Sequence, residues 1–258
     1  ETVTNAGTIA GTVDLGAGDD RVVNTGMIQG AVLLGAGNDR FVEGVGSTVR
    51  GGVDGGTGDD LYTVILAGNR SGIGQRTNFE RLSVEGNGTL GLTLDQNFQS
   101  VALAGTGLNV ALGGFTVGTV TGSDAAETLS VDGDVGMVSL GAGNDELALG
   151  TTRAAGLYAG GAGSDLLRFT ANAPVTLAGS ATGFERVALA GGSLTVTGTL
   201  GSSGAPLTFE DDAQSVTVAA GGTLAGTITL GAGNDGFRLT AGGTLIGTVS
   251  GGAGTDTA

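Results

Sequence analysis

The residues with most chemistry to offer are aspartates that close seven glycine-rich motifs: Leu15-Gly16-Ala17-Gly18-Asp19-Asp20, then residues 34–39, 55–60, 140–145, 160–165, 230–235 and 251–256. The closing aspartates are Asp20, Asp39, Asp60, Asp145, Asp165, Asp235 and Asp256, and none is replaced. Neighbouring copies stand 19, 21, 20 and 21 residues apart, from Asp20 to Asp39, Asp39 to Asp60, Asp145 to Asp165 and Asp235 to Asp256. A chain that coils at this pitch brings the carboxylates together. Like charges facing one another across strands are unfavourable, and a hard, oxygen-seeking cation relieves the repulsion while glycine carbonyls complete its shell. The seven aspartates are therefore candidate calcium ligands. The same residues have a second reading, in which Asp and Asn side chains hydrogen-bond to backbone and close the Gly turns.

Composition removes most other chemistries. The 258 residues include no Cys, no His and no Trp, and all 10 basic residues are Arg. This excludes a thiol nucleophile, a disulfide framework, a zinc finger and an imidazole base. Against the 10 Arg stand 25 Asp and Glu, and a net charge of -15 repels phosphate backbones, so no nucleic-acid partner is expected. No apolar run approaches the roughly 18 residues of a membrane helix, so no transmembrane segment is expected. Two further constellations carry charge. Phe79-Glu80-Arg81 and its counterpart Phe184-Glu185-Arg186 read as a core Phe beside solvated charges, since neighbours on a strand face opposite sides. Glu210-Asp211-Asp212 is the densest acidic run. A glycosidase pair or a cation site could be built there, but no neighbour raises one carboxyl and no Trp offers a sugar platform, so it reads as a solvated loop.

The residues before each motif name the element that positions it. Ile9, Gly11, Val13 and Leu15 alternate with Thr8, Ala10, Thr12 and Asp14, a period of two, and the pattern recurs at Ile28 to Leu34, Leu224 to Leu230 and Leu245 to Val249. These are strands, with one face inward. Two residues past the Asp stands a bulky apolar residue (Val22, Phe41, Tyr62, Leu147, Leu167, Phe237), which starts the next strand. Strands recurring every 20 residues or so, among 55 Gly, predict an all-β parallel β-solenoid without helices. Asp60 to Asp145 spans 85 residues, close to four turns, whereas Asp165 to Asp235 spans 70 and predicts an insertion at Pro206 to Asp212. Residues 1–258 read as one repeat solenoid, cut from a longer chain because both ends fall inside repeats.

Gly55-Gly56-Thr57-Gly58-Asp59-Asp60, followed by Tyr62, resembles the calcium-binding Gly-Gly-x-Gly-x-Asp nonapeptide of RTX proteins, which three of the seven copies match. That resemblance implies an ion between successive motifs, giving four sites: between the first and second, second and third, fourth and fifth, and sixth and seventh copies. The other four copies carry Leu15, Leu34, Leu140 and Leu230 at the first Gly position, and the copies recur once per turn rather than in tandem. Taken with Asn5 to Val13, Asn24 to Val32 and the Phe-Glu-Arg strands, the set is more similar to the passenger of bacterial autotransporters. This resemblance implies a parallel β-helix displayed outside the cell, at a bacterial surface, with structural or adhesive function and no catalysis. Its partners would be further repeats of the same chain or neighbouring surface proteins. Surface-layer proteins share the composition, and the alternative is a calcium-dependent layer or matrix subunit that assembles laterally.

Overall fold

The computed structural model describes residues 1–210 and 212–258 and is all-β, a parallel β-solenoid with no helix among those residues. The residues fall into two units, 1–111 with 115–121, and 112–114 with 122–258. In the first unit each of the first three turns is three short strands: Thr2–Asn5, Thr8–Ile9 and Val13–Asp14; Arg21–Asn24, Met27–Ile28 and Val32–Ala36; Arg40–Glu43, Thr48–Val49 and Val53–Thr57. Successive turns pair in parallel register, so like positions stack: Val3, Val22, Phe41, Tyr62 and Leu82 form one column. Val22, Phe41 and Tyr62 are wholly buried. Phe41 and Tyr62 stack with ring centroids 6.0 Å apart, and Phe79 continues the series at 5.7 Å from Tyr62. Full burial of a side chain of this size contributes about 1.5–3 kcal/mol, and the column repeats that contribution at every turn.

The second unit repeats the arrangement, with Leu129, Leu147, Leu167, Val187 and Phe209 in one register column and all fully buried. Of the residues expected to point inward, Val13, Ile28, Val32, Leu34, Ile228 and Leu230 are buried, while Ile9, Leu15 and Val249 are half-buried. The reason is one-sided stacking: Ile9 pairs only with Ile28, and Val249 only with Ile228.

The 70-residue gap has a different cause from the insertion expected at Pro206 to Asp212. The register position of Asp165 passes to Glu185, then Leu207, Ile228 and Val249, so the turns continue with apolar residues at that corner. Asp235 stands seven residues beyond Ile228, and the strand after it, Gly236–Leu239, belongs to another sheet, pairing with Ser215–Val218. The motif has moved to the next corner of the turn. A local excess does exist, but earlier than expected: Gly201 to Pro206 takes five steps where its partner, Ala225 to Thr227, takes two. Of the acidic run beside it, Asp211 lies outside the described residues.

Candidate metal centre: the carboxylate columns

The motif turn is sharp because its glycines occupy backbone space closed to other residues. Gly35 has φ 109°, and a Cβ there would lie 1.8 Å from the Gly16 carbonyl oxygen of the turn below. With the backbones this close, the closing Asp of each motif tucks under the strand it precedes. Asp20, Asp39, Asp60, Asp145, Asp165 and Asp235 are at most 3% exposed, and Asp256 is exposed.

Each buried carboxylate is tied to the turn before it. Oδ1 of Asp39 accepts the backbone N–H of Asp20 at 2.7 Å, and Oδ1 of Asp60 accepts that of Asp39 at 2.7 Å. In the second unit Asp165 accepts from Asp145 at 2.8 Å, and Asp256 accepts from Asp235 at 3.1 Å. The four junctions expected to hold ions are thus four hydrogen-bonded junctions. The bonds cross between turns, so the turn-closing reading was correct in chemistry and too local in reach.

The columns also extend past the aspartates. Glu80 Oε2 accepts the Asp60 N–H at 2.8 Å, and Glu185 Oε2 accepts the Asp165 N–H at 2.9 Å. At the other end, Asp145 accepts from Glu127 and Asp235 from Gln214, both at 2.8 Å. This corrects the reading of Phe-Glu-Arg: Phe79 and Phe184 are core residues, but the glutamates cap columns instead of standing in solvent. Arg81 pairs with Asp59 at 2.8 Å, and Arg186 with Glu210 at 2.8 Å. The caps explain two of the three Gly-Gly copies of the motif. A Cβ on Gly55 would lie 2.1 Å from the Asn78 carbonyl oxygen, and one on Gly160 would lie 2.1 Å from that of Gly183, in the tight loops that deliver Phe79 and Phe184. Leucine is admitted only where the following turn keeps its distance.

One residue earlier runs a second, exposed ladder of opposite polarity. Asp19 Oδ1 accepts the Asn38 N–H at 2.8 Å, Asn38 Oδ1 accepts the Asp59 N–H at 3.0 Å, and Asn144 and Asn234 repeat the contact to Ser164 and Thr255, each at 2.9 Å.

The inner columns carry unspent charge. Oδ2 of Asp20, Asp39, Asp60, Asp145, Asp165 and Asp235 is buried without a hydrogen-bond partner among the described residues. Burial pushes Asp39, Asp60 and Asp165 above the usual carboxylate range, against the pull of the backbone N–H bond. Asp145 is pushed up to about 6 by burial, reinforced by the charges of Glu127 and Asp165. Such an oxygen takes either a proton or a cation. Calcium takes roughly six to eight oxygens; each column presents one free carboxylate oxygen per turn, with Oδ1 already committed. Among the described residues no three acidic side chains converge to hold a metal ion.

One polar cluster was not anticipated. Asn5 Nδ2 donates to Asn24 Oδ1 at 2.8 Å, and Glu43 takes the next register position. Buried there, Glu43 accepts from Arg76 Nη2 at 2.7 Å, from Arg70 Nη1 at 2.9 Å and from the Tyr62 hydroxyl. Burial opposes its ionisation, but the Arg76 charge, with Tyr62 and Arg70, holds its carboxyl below the usual range. The 19-residue spacing of Asn5, Asn24 and Glu43 was the available signal.

The stacked strands and hydrogen-bonded columns define a parallel β-solenoid repeat protein, in which stability is summed over neighbouring turns. No protein family, curated protein or solved structure matches this chain.

Proposed function

We propose that the chain is a non-catalytic segment of a bacterial surface protein, of the autotransporter-passenger type, serving as a structural or adhesive solenoid outside the cell. The observation that carries this reading is the use of the motif aspartates: Asp39, Asp60, Asp165 and Asp256 each spend Oδ1 on the backbone of the preceding turn, which is scaffold work repeated at every junction. Display is tested by raising antibodies to this chain and staining intact cells of the source strain, with and without external protease. Protease-sensitive staining supports the reading, and signal only after lysis contradicts it. The buried, unpartnered Oδ2 atoms favour a second reading, a calcium-dependent layer subunit that assembles side by side. Its test is sedimentation velocity with calcium, magnesium or chelator: association specific to calcium supports lateral assembly.

A further inference from the structure

We infer that a cleft in the first unit, between Thr48–Val49 and the loop at Ile73 to Gln75, binds a carboxylate-bearing ligand of the uronic-acid sugar class. The cleft exists because a sheet stops. Thr8–Ile9, Met27–Ile28 and Thr48–Val49 stack in register, and among the described residues no fourth strand joins them. The next turn sends Arg70–Ser71 to another sheet, against Leu92 and Thr93. The space left measures about 350 Å3, in the size range of small-ligand sites.

Its floor holds two guanidinium groups on one carboxylate, Arg70 and Arg76 on Glu43, an excess of one positive charge. Both are fixed. Arg76 lies over the Phe41 and Tyr62 rings at 5.8 and 5.7 Å, and Arg70 also donates to the Gly72 and Ile73 carbonyls at 3.0 and 3.1 Å. The loop is braced from behind by Asp95, whose two oxygens accept the Ile73 and Gly74 N–H groups at 3.1 and 3.2 Å. On the rim stands Arg50, exposed and outside every ion pair among the described residues. Three Arg against one Glu make this lining cationic on a chain of net charge -15. A free guanidinium fork matches a carboxylate in the plane. The exposed Gln75 amide beside it suits the hydroxyl groups of a sugar, and the acidic chain repels multiply charged anions more than a single carboxylate. The inference needs only this cleft and does not rest on surface display.

The test is the arginine Nε–Hε region of the 15N spectrum, titrated with methyl glucuronide, methyl glucoside, acetate or sulfate. Glucuronide is expected to shift the Arg50 signal and the Gly74 and Gln75 amides saturably, acetate to do so more weakly, and glucoside to leave them unmoved. Arg50→Gln, an exposed change that leaves the rest of the spectrum in place, is expected to weaken glucuronide binding about tenfold, the value of one charge-assisted hydrogen bond. No saturable shift, an equal response to glucoside, or unchanged affinity in Arg50→Gln would overturn the site. Acetate binding as tightly as glucuronide would overturn the sugar assignment, and tighter sulfate binding would overturn the carboxylate.

Discussion

At the scale of single residues, the motif carboxylates hold a hydrogen bond and a charge in the same buried place, and the two pull stability in opposite directions with pH. Asp39, Asp60, Asp145 and Asp165 have folded-state values raised by burial. A raised carboxyl binds its proton more tightly in the folded chain, so its contribution is fully present below the unfolded value near 4 and is lost as pH rises through the folded value. For Asp145 that loss runs from about 4 to about 6. Glu43 has the opposite sign: its lowered value contributes above the ordinary Glu range and is lost as pH falls through the folded value. A carboxyl-carbon NMR titration should therefore give Asp145 a midpoint about 6 and Glu43 one below the usual Glu range. An Asp145 midpoint near 4 would mean that its Oδ2 is solvated or ion-paired.

At the scale of the turn, backbone approach decides which residues the motif accepts. A Cβ at Gly55 or Gly160 meets a backbone carbonyl oxygen at 2.1 Å, whereas one at Gly11 meets nothing within 4 Å. Gly55→Ala and Gly160→Ala should each destabilise by about 1–3 kcal/mol or more, the cost of forcing a group into packed structure. Gly11→Ala should be neutral or slightly stabilising. Denaturant midpoints of the three variants check this, and equal midpoints would contradict the close approach. Most of this architecture was legible in the sequence. The alternation from Leu224 to Leu230 named the strand Thr223–Thr229, whereas the same pattern from Ile28 to Leu34 is two strands, Met27–Ile28 and Val32–Ala36, in different sheets; the spacing of the aspartates named the pitch. What escaped were positions where another residue does the work of Asp. Glu80 and Glu185 stand 20 residues past Asp60 and Asp165 and cap their columns, but a search that demands Asp passes over them. The shift of the sixth motif, which closes at Asp235, to another corner also escaped, because spacing counts residues along the chain and is blind to which sheet follows. The two arginines of the Glu43 cluster stand 27 and 33 residues past it, which match no turn length, whereas Asn5, Asn24 and Tyr62 keep the 19-residue pitch.

At the scale of the whole molecule, a net charge of -15 adds self-repulsion that also eases on acidification, the same direction as the buried columns. Salt separates the two, because it screens exposed charges and barely reaches buried ones. In high salt the thermal midpoint should still fall as pH rises from 4 to 6, by the share that belongs to the columns. Loss of all pH dependence in salt would place the effect on the surface. The central claim, that the motif aspartates hold turn to turn by hydrogen bonding to backbone, is tested most directly by the unfolding free energies of Asp39→Asn and Asp39→Ala near neutral pH, in calcium and in chelator. Asn keeps the acceptor for the Asp20 N–H and removes the buried charge; Ala removes both. We predict that Asp39→Asn matches or exceeds the parent, that Asp39→Ala loses about 1–3 kcal/mol through the unpaired N–H, and that calcium changes neither difference. If Asp39→Asn falls as far as Asp39→Ala, and the parent alone gains stability from calcium, the aspartates serve an ion and the hydrogen-bonded column is not what holds the turns.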